Sequence, residues 1–379
     1  MVSTRSLIAF ASLAAASLVD SHAINHGRLG KRAPSPLEVK LTAPTGDVAE
    51  IVATITNMGT EDLNLLAVGT ILDTNLPIER LMVSNDAGWG IPSKGIQISL
   101  EHEALTSDHF ELLKVGASIQ TVIEGNNVHS FDEAGSYTFE ARGMLPYAVA
   151  PSTQLGASLA AYQSNALRLA VSDTTRPAQA HAALRLPSSS LDRRAKLQPG
   201  CSAAEEADMI EALSNCQKLA LAAAADAADP ASKRFVEYFR SNASETRQTV
   251  VDRLTAVAGE CATSDSGSSR LFCYDYYNVC EVYGPLVAYS VSSGPDIMVV
   301  CPLYWERPGL TKECHKQDHA TTIIHETTHS GSVYSPKTND YAYSYENITQ
   351  LEPSFALNNA DQYSLYANGA FLALLPGYN

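Results

Sequence analysis

The sequence predicts an α+β protein in which a strand-rich, β-sandwich-like first half precedes a mainly α-helical second half with a small β-sheet. Short aliphatic and β-branched runs, separated by turn residues, fill residues 37–169. Alanine-rich and amphipathic segments of helical period dominate from residue 202 onward. A linker rich in Pro, Ala and Ser, from about residue 173 to 199, separates the two halves.

The first residues have the organisation of a secretory signal peptide. Arg5 supplies a positive charge, residues 7–19 are apolar, and small residues at 21–23 offer a cleavage site. We therefore expect a signal peptide at 1–23 and a secreted, extracellular protein. This apolar run is too short for a bilayer span, and no later run is long enough, so no membrane partner is expected.

The overall charge bears on the kind of partner. The formal net charge of −15 argues against nucleic acid, because an acidic surface cannot neutralise phosphates. It is compatible with attraction to basic proteins, although a solvated acidic surface would look the same.

The first half has the pattern of β-strands and no recognisable catalytic or metal-binding motif in its sequence. Runs at 39–42, 51–56, 63–68 and 136–142 have strand composition or alternation. The segment contains no cysteine and no candidate metal cluster in its sequence. It is therefore expected to help folding, to inhibit, or to act as a plain binding or spacer module.

The linker ends in a dibasic pair, Arg193-Arg194, of the type that a kexin-type convertase cuts. Cleavage there would remove residues 24–194 as a propeptide that acts in cis. It would release residues 195–379, which is a suitable length for one domain.

The second half opens with helices and continues with two strands. Ser202 and Glu205 form a capping box at the start of a helix that runs to about Ala228. Amphipathic helices are expected at 232–240 and 246–258, and strands at 286–291 and 297–304. We expect the second strand to form a sheet edge to which an extended peptide could add.

The strongest functional signal is an H-E-x-x-H motif made by His325, Glu326 and His329. Histidines at i and i+4 share one helix face, so both can bind one metal ion, with the glutamate beside it as a base. Two histidines and an adjacent base indicate zinc-assisted peptide hydrolysis.

A third protein ligand is needed, and the sequence leaves alternatives open. Metzincins would place glycine and a third histidine where this chain has Ser332 and Ser335. A thermolysin-like arrangement would use Glu346 or Glu352 from a following helix. An aspartate ligand could come from Asp340, in a nearby turn-like segment.

At this point the chain resembles the deuterolysin family, the secreted fungal aspzincin proteases that join HExxH to a G-T-x-D-x-x-Y-G motif. Thr338, Asp340 and Tyr343 are in register, whereas Lys337 and Ser344 replace the two glycines. The resemblance also covers the run from Cys314, the segment 359–368 and the long prosegment, so it involves nearly the whole chain.

The resemblance implies a zincin-type catalytic domain at 195–379 that holds one Zn²⁺ on His325, His329 and Asp340. Glu326 would be the general base, and Tyr343 would donate a hydrogen bond to the oxyanion. Asp361 is a rival third ligand, but it is expected instead to orient a ligand histidine.

Seven cysteines, all at or after Cys201, suit an oxidising compartment. The resemblance suggests disulfides Cys201–Cys273 and Cys280–Cys301. Cys216–Cys261 is expected as a further pair, which leaves Cys314 without a partner.

The expected function is that of a secreted, monomeric zinc endopeptidase made as a zymogen, and the family implies a preference for basic proteins such as histones or protamines. A peptidyl-lysine metalloendopeptidase of the same clan is one alternative. A secreted binding protein that has lost activity is another. Sequons at Asn242 and Asn347 fit a secreted glycoprotein.

Overall fold

The structure, a computed structural model, describes residues 35–156, 158–172, 196–292 and 296–376. The predicted signal peptide and the Arg193-Arg194 pair lie outside these ranges. Among the helices that the structure describes, none combines the length and the hydrophobicity that a membrane crossing requires.

The first half forms three antiparallel sheets around one core. Their strand orders are β1-β2-β7, β10-β9-β3-β6 and β11-β8-β4. Alternation places every second residue of β2, such as Ile51, Ala53 and Ile55, in the core beside Phe139. The strands are β1 Leu37–Thr42, β2 Ile51–Asn57, β3 Leu63–Leu66, β4 Met82–Asn85, β5 Ile96–Leu100, β6 Phe110–Leu113, β7 Ser118–Ile123, β8 Gly135–Glu140, β9 Arg142–Val149, β10 Leu159–Gln163 and β11 Leu167–Val171.

The second half packs helices against a fourth sheet. Its helices are α1 Ala203–Ala228, α2 Lys233–Phe239, α3 Ser244–Cys261, α4 His319–Thr328, α5 Tyr345–Ile348, α6 Pro353–Ala356 and α7 Ala360–Leu372, and its strands are β12 Ser269–Phe272, β13 Leu286–Val291 and β14 Asp296–Val300. The capping box at Ser202 and Glu205 forms as predicted. Helix α4 packs against α1, α7 and β13, which surrounds it with protein.

The predicted fold class was wrong. Helix and strand occur in similar amounts, 30 % and 26 %, and the chain has four sheets instead of a mainly helical half with one small sheet. The fourth sheet has the order β12-β14-β13-β5 and so takes its last strand from the first half. Helical period is visible locally, whereas a strand partner about 190 residues away leaves no local signal.

The predicted edge strand at 297–304 was also wrong. The strand ends at Val300, and a 3₁₀ helix at Pro302–Glu306 follows, since proline has no N–H for a ladder. β14 lies between β12 and β13, so it presents no free edge. In the first half, the predicted strand at 136–142 divides after Glu140 into β8 and β9.

The disulfide predictions were confirmed. Cys201–Cys273, Cys216–Cys261 and Cys280–Cys301 are bonded, and Cys314 is free and exposed. The Cys216–Cys261 bridge joins α1 to the end of α3. The disulfides thus tie together the helices and the sheet that enclose α4.

Candidate metal centre

Helix α4 begins with a capping box. Asp318 Oδ1 accepts a bond from the Thr321 N–H, and Thr321 Oγ1 accepts one from the Asp318 N–H, both at 2.7 Å. Every residue of the helix is buried, and His329 follows its last residue with near-helical dihedral angles. His325 and His329 therefore keep the i, i+4 relation and lie on one face.

Three side chains meet beside this helix. His325 Nε2 lies 3.1 Å from Asp340 Oδ1, and His329 Nε2 lies 3.2 Å from Asp340 Oδ2. The two Nε2 atoms are 3.2 Å apart. These three residues form a group whose potential ligand atoms all lie within 4.8 Å of one another.

The hydrogen bonds fix where the protons lie. His325 Nδ1 contacts a carboxylate oxygen of Asp361 at 2.8 Å, and His329 Nδ1 contacts the Thr338 carbonyl at 3.0 Å. Both partners accept, so each Nδ1 must donate, and each neutral ring then presents the Nε2 lone pair. Two Nε2 atoms and a carboxylate converge here, an arrangement that a cation would stabilise.

The separations suit zinc. A tetrahedral ion with bonds of about 2.0–2.1 Å holds its ligand atoms about 3.3 Å apart. The cluster has 3.1 to 3.2 Å. Neither Asp340 oxygen has a hydrogen bond among the described residues, although the side chain is only 7 % exposed. The residues present therefore fit such an ion.

The pKa values of His325 and Asp340 also indicate that the site favours positive charge. Burial disfavours a charged His325, but Asp340 and Asp361 outweigh burial and raise the pKa of its imidazole. Burial likewise opposes ionisation of Asp340, yet the two histidines dominate and lower the pKa of its carboxyl. The site thus draws positive charge to the point where the three side chains meet.

Asp361 occupies a different position from Asp340. Its Oδ1 accepts bonds from His325 Nδ1 at 2.8 Å and from Gln317 Nε2 at 2.7 Å, and its Oδ2 accepts the Ser344 N–H at 3.1 Å. Its oxygens are engaged by donors, and it contacts the ring nitrogen that faces away from Asp340. This arrangement orients His325.

The segment that carries Asp340 is held by Asn359. The Asn359 side chain accepts the N–H groups of Tyr341 and Ala342 at 2.8 and 3.0 Å and donates to the Ala342 carbonyl at 2.9 Å. Thr338 anchors the other side, because its N–H donates to the Thr328 carbonyl at 3.0 Å. Sequence reasoning assigned no role to Asn359, because this contact spans 17 residues.

The two residues in place of the expected glycines behave differently. Ser344 has a φ of +67°, a conformation that favours glycine, and its N–H bonds Asp361. Lys337 is not in that region, and its Nζ bonds Ser292 Oγ at 2.7 Å. The loop keeps its turn despite Ser344 and gains a cationic contact at Lys337.

Glu326 lies beside the cluster and not in it. One carboxylate oxygen accepts a bond from Ser290 Oγ of β13 at 2.5 Å, while Oε1 has no partner among the described residues. Burial raises the pKa of Glu326, and the Ser290 bond opposes this rise. Ser290 was missed because it is 36 residues from Glu326, and a lone serine in a strand carries no signal.

Tyr343 lies on the other side of the cluster. Its ring is 6.1 Å from that of His325, and its hydroxyl donates to the Ile98 carbonyl at 2.6 Å. Burial, with added repulsion from Asp340 and other carboxylates, raises the pKa of Tyr343 well above its ordinary value. The phenol therefore keeps its proton and remains a donor.

The other candidate residues lie outside the cluster. Glu346 is exposed and Glu352 is half-buried, and neither belongs to the group that could hold a metal. His319 opens α4 and stacks on Tyr304 at 4.2 Å. His315 precedes the helix and stacks on Tyr345 at 3.6 Å, so both histidines pack against aromatic rings.

Comparison with known proteins gives a family match over nearly the whole chain. Residues 7–374 match the Deuterolysin metalloprotease (M35) family. The chain is similar to a neutral protease 2 homologue of Botryotinia fuckeliana, with 38 % identity over 95 % of this chain and 98 % of that one. It is also similar to a neutral protease 2 homologue of Sclerotinia sclerotiorum, with 38 % identity over 90 % of this chain and 92 % of that one. A neutral protease 2 homologue of Phaeosphaeria nodorum is 36 % identical over 95 % of each chain.

Replacing Asn359 by alanine tests how the Asp340 segment is held. The variant removes the partner of three backbone groups, two of them buried, so we expect a loss of about 2–4 kcal/mol in unfolding free energy. Zinc affinity should fall about 10- to 100-fold, as for other residues that support ligands. Thermal unfolding and equilibrium dialysis with zinc measure the two effects.

The neighbouring variant Asn358→Ala is the matched control. The Asn358 side-chain amide donates to the Ser354 carbonyl, one turn earlier, at 3.0 Å, and this contact is exposed. It should change stability by about 0.5 kcal/mol or less. Equal zinc affinities for the two variants would contradict the role given to Asn359.

Proposed function

The chain belongs to the deuterolysin family of metalloproteases, and from this premise we propose that His325, His329 and Asp340 hold the zinc ion that serves peptide-bond hydrolysis. The observation that carries the assignment is the convergence of two Nε2 atoms and a buried carboxylate within 3.1 to 3.2 Å. When bound, zinc would polarise the substrate carbonyl and lower the pKa of a water molecule. Asp361 orients His325 and is not a ligand.

Glu326 is the proposed general base. Its Oε1 is buried without a hydrogen-bond partner, so it is available to take a proton. The raised pKa of Glu326 makes that transfer more favourable and allows the acid formed to protonate the leaving amine. Ser290 fixes the other oxygen and so the direction in which Oε1 points.

Tyr343 is the proposed donor to the scissile carbonyl. It already donates to a main-chain carbonyl, that of Ile98, from a buried position. A donor fixed in a site shielded from water stabilises a developing oxyanion without reorganisation.

We also propose that the protein is a secreted zymogen, with a signal peptide at 1–23, a propeptide at 24–194 and a catalytic domain at 195–379. Lys196 supports this boundary, since its buried Nζ bonds the Glu260 carbonyl at 2.6 Å inside the second half. Every disulfide of the described residues lies within the second half, and such bonds are compatible with an extracellular protein.

The sequons differ in exposure. Asn242 is exposed just before α3, and we propose it as a glycan site. Asn347 is only 4 % exposed, and its amide donates to the Gly156 carbonyl of the first half at 3.2 Å. Glycan attachment at Asn347 would require that contact to be absent.

A preference for basic substrates follows from charge. Residues 195–379 contain 12 Lys and Arg against 22 Asp and Glu, so the processed domain is acidic as well. Long-range attraction should raise the association rate of histones or protamines.

Replacing Glu326 by glutamine separates zinc binding from catalysis. The amide cannot accept the proton, so kcat should fall about 10²- to 10⁴-fold. Zinc content should stay at the wild-type level, because Glu326 is not a ligand. Casein digestion and metal analysis of the processed protein give both values, and a variant that keeps wild-type kcat would remove Glu326 from the mechanism.

The pH profile of the variant Ser290→Ala tests the base independently. Glu326 must be ionised, so activity is lost as the pH falls through its raised pKa, and the acid limb should lie above the ordinary glutamate value of 4.5. Without the Ser290 bond, the carboxylate form of Glu326 is less stable and its pKa rises further. The acid limb of the activity profile should therefore move to higher pH. Ser292→Ala is the control, because that hydroxyl bonds Lys337 instead, and its limb should not move.

Cleavage-site mapping at two ionic strengths tests specificity. We expect cuts beside many residue types in a denatured protein, and histone cleavage that slows severalfold from 0.01 to 0.15 M salt while casein cleavage changes little. Cuts confined to one side of lysine would favour the peptidyl-lysine alternative. A processed protein that binds zinc but cuts nothing would favour the inactive binding protein.

A further inference from the structure

We propose that Gln317 is a positioning residue for the metal ligand His325, on which it acts through Asp361. Its side-chain amide, held by Arg307, fixes the carboxylate of Asp361, and that carboxylate fixes the imidazole of His325. The inference rests on the ligand set proposed above. Among the described residues, the group that could hold a metal does not include Gln317, so its contribution is to the geometry of the metal centre.

The first observation is the place of Gln317 in the fold. It directly precedes Asp318, the residue that caps the start of α4, whereas Asp361 lies in the first turn of α7. Gln317 Nε2 donates to Asp361 Oδ1 at 2.7 Å, and the same oxygen accepts the bond from His325 Nδ1 at 2.8 Å. The bond from Gln317 therefore joins the beginnings of the two helices at the oxygen atom that orients a metal ligand.

The carboxylate of Asp361 depends on Gln317 for its fixed orientation. Its Oδ2 accepts the Ser344 N–H at 3.1 Å. Besides His325, the donors to Oδ1 are Gln317 at 2.7 Å and the Ser364 hydroxyl at 3.4 Å, which is a weak bond at that length. Without the Gln317 amide, the only strong partner of Oδ1 is the ring that it has to orient. Since the Cβ–Cγ torsion of an aspartate has a broad minimum, the carboxylate and the ring would then turn together.

Arg307 determines which way the Gln317 amide points. Arg307 Nη1 donates to Gln317 Oε1 at 2.5 Å and to Thr322 Oγ1 at 3.1 Å. A guanidinium group only donates and a carboxylate only accepts, so the amide between them must present its oxygen to Arg307 and its NH₂ group to Asp361. Thr322 lies on α4, three residues before His325, and so ties Arg307 to the helix that carries the ligand.

The surroundings explain why a tethered donor matters at this point. Arg307, Gln317 and Asp361 line a cavity of about 270 Å³ that also reaches Tyr343. Gln317 is half-buried at the cavity wall, so water would take the place of a missing amide. A water molecule costs entropy to hold and has no covalent tether, whereas the amide keeps one direction. The amide of Gln317 therefore holds Asp361 more rigidly than solvent would.

A double-mutant cycle on the full chain tests the proposal without using activity. Gln317→Met replaces the amide by an unbranched side chain of similar length, and Asp361→Ala removes the group through which Gln317 is proposed to act. Zinc affinity is measured by equilibrium dialysis, after removal of metal with a chelator, for wild type, both single variants and the double variant. Gln248→Met is the matched control, because Gln248 Nε2 also donates to an aspartate, Asp252, at 2.7 Å, but at an exposed position of α3.

We expect Gln317→Met to bind zinc about 10-fold more weakly than wild type, and Gln248→Met to bind it as wild type does. In the Asp361→Ala background, Gln317→Met should change the affinity by less than about twofold, because the path from Gln317 to His325 is already broken. Equal affinities of Gln317→Met and wild type would overturn the proposal. An undiminished effect of Gln317→Met in the Asp361→Ala background would overturn it too, since Gln317 would then act independently of Asp361.

The visible absorption of the cobalt(II) form gives a second readout, which does not require the Asp361→Ala chain to fold. Cobalt(II) in place of zinc reports the geometry of its ligands through its absorption bands. The bands should shift in Gln317→Met and stay unchanged in Gln248→Met, and unchanged bands in Gln317→Met would contradict the positioning role. A wild-type chain that binds neither zinc nor cobalt(II) would overturn the proposed ligand set itself, and this inference with it.

Discussion

The structure depends on bringing two imidazole lone pairs and one carboxylate to within 3.1 to 3.2 Å of each other inside protein. Desolvation disfavours the charged forms of these groups, so the surroundings must hold them in place. The helix α4 fixes the histidine spacing, the Thr338 carbonyl and Asp361 fix both rings, and Asn359 fixes the Asp340 segment. Buried polar groups of this kind are stable only when nearly all are satisfied.

Three buried carboxylate oxygens without hydrogen bonds among the described residues lie where chemistry is proposed. Asp361 is surrounded by donors, whereas both oxygens of Asp340 and Oε1 of Glu326 lack hydrogen bonds among the described residues. This difference in hydrogen bonding distinguishes Asp361, which positions His325, from Asp340, the proposed zinc ligand, and Glu326, the proposed base. Tyr343 links this centre to the first half of the chain, since its ring lies 6.1 Å from that of His325 and its hydroxyl donates to the Ile98 carbonyl.

The sequence predicted the parts that depend on short-range geometry. The i, i+4 histidines, the capping box at Ser202 and the period of α1 to α3 are local, and the resemblance supplied Asp340 and two disulfide pairs. The sequence could not predict the pairing of β5 with β13 or the bond from Ser290 to Glu326, because these contacts join distant segments without a shared motif. The fold class was wrong for the same reason: strand composition does not specify which sheet a strand joins.

Zinc content of the processed protein tests the ligand assignment most directly, compared among wild type, Asp340→Ala and Asp361→Ala. The account predicts one zinc per wild-type chain, none in Asp340→Ala, and zinc in Asp361→Ala with about 10- to 100-fold weaker affinity. Zinc retained by Asp340→Ala and lost by Asp361→Ala would contradict it and move the third ligand to α7.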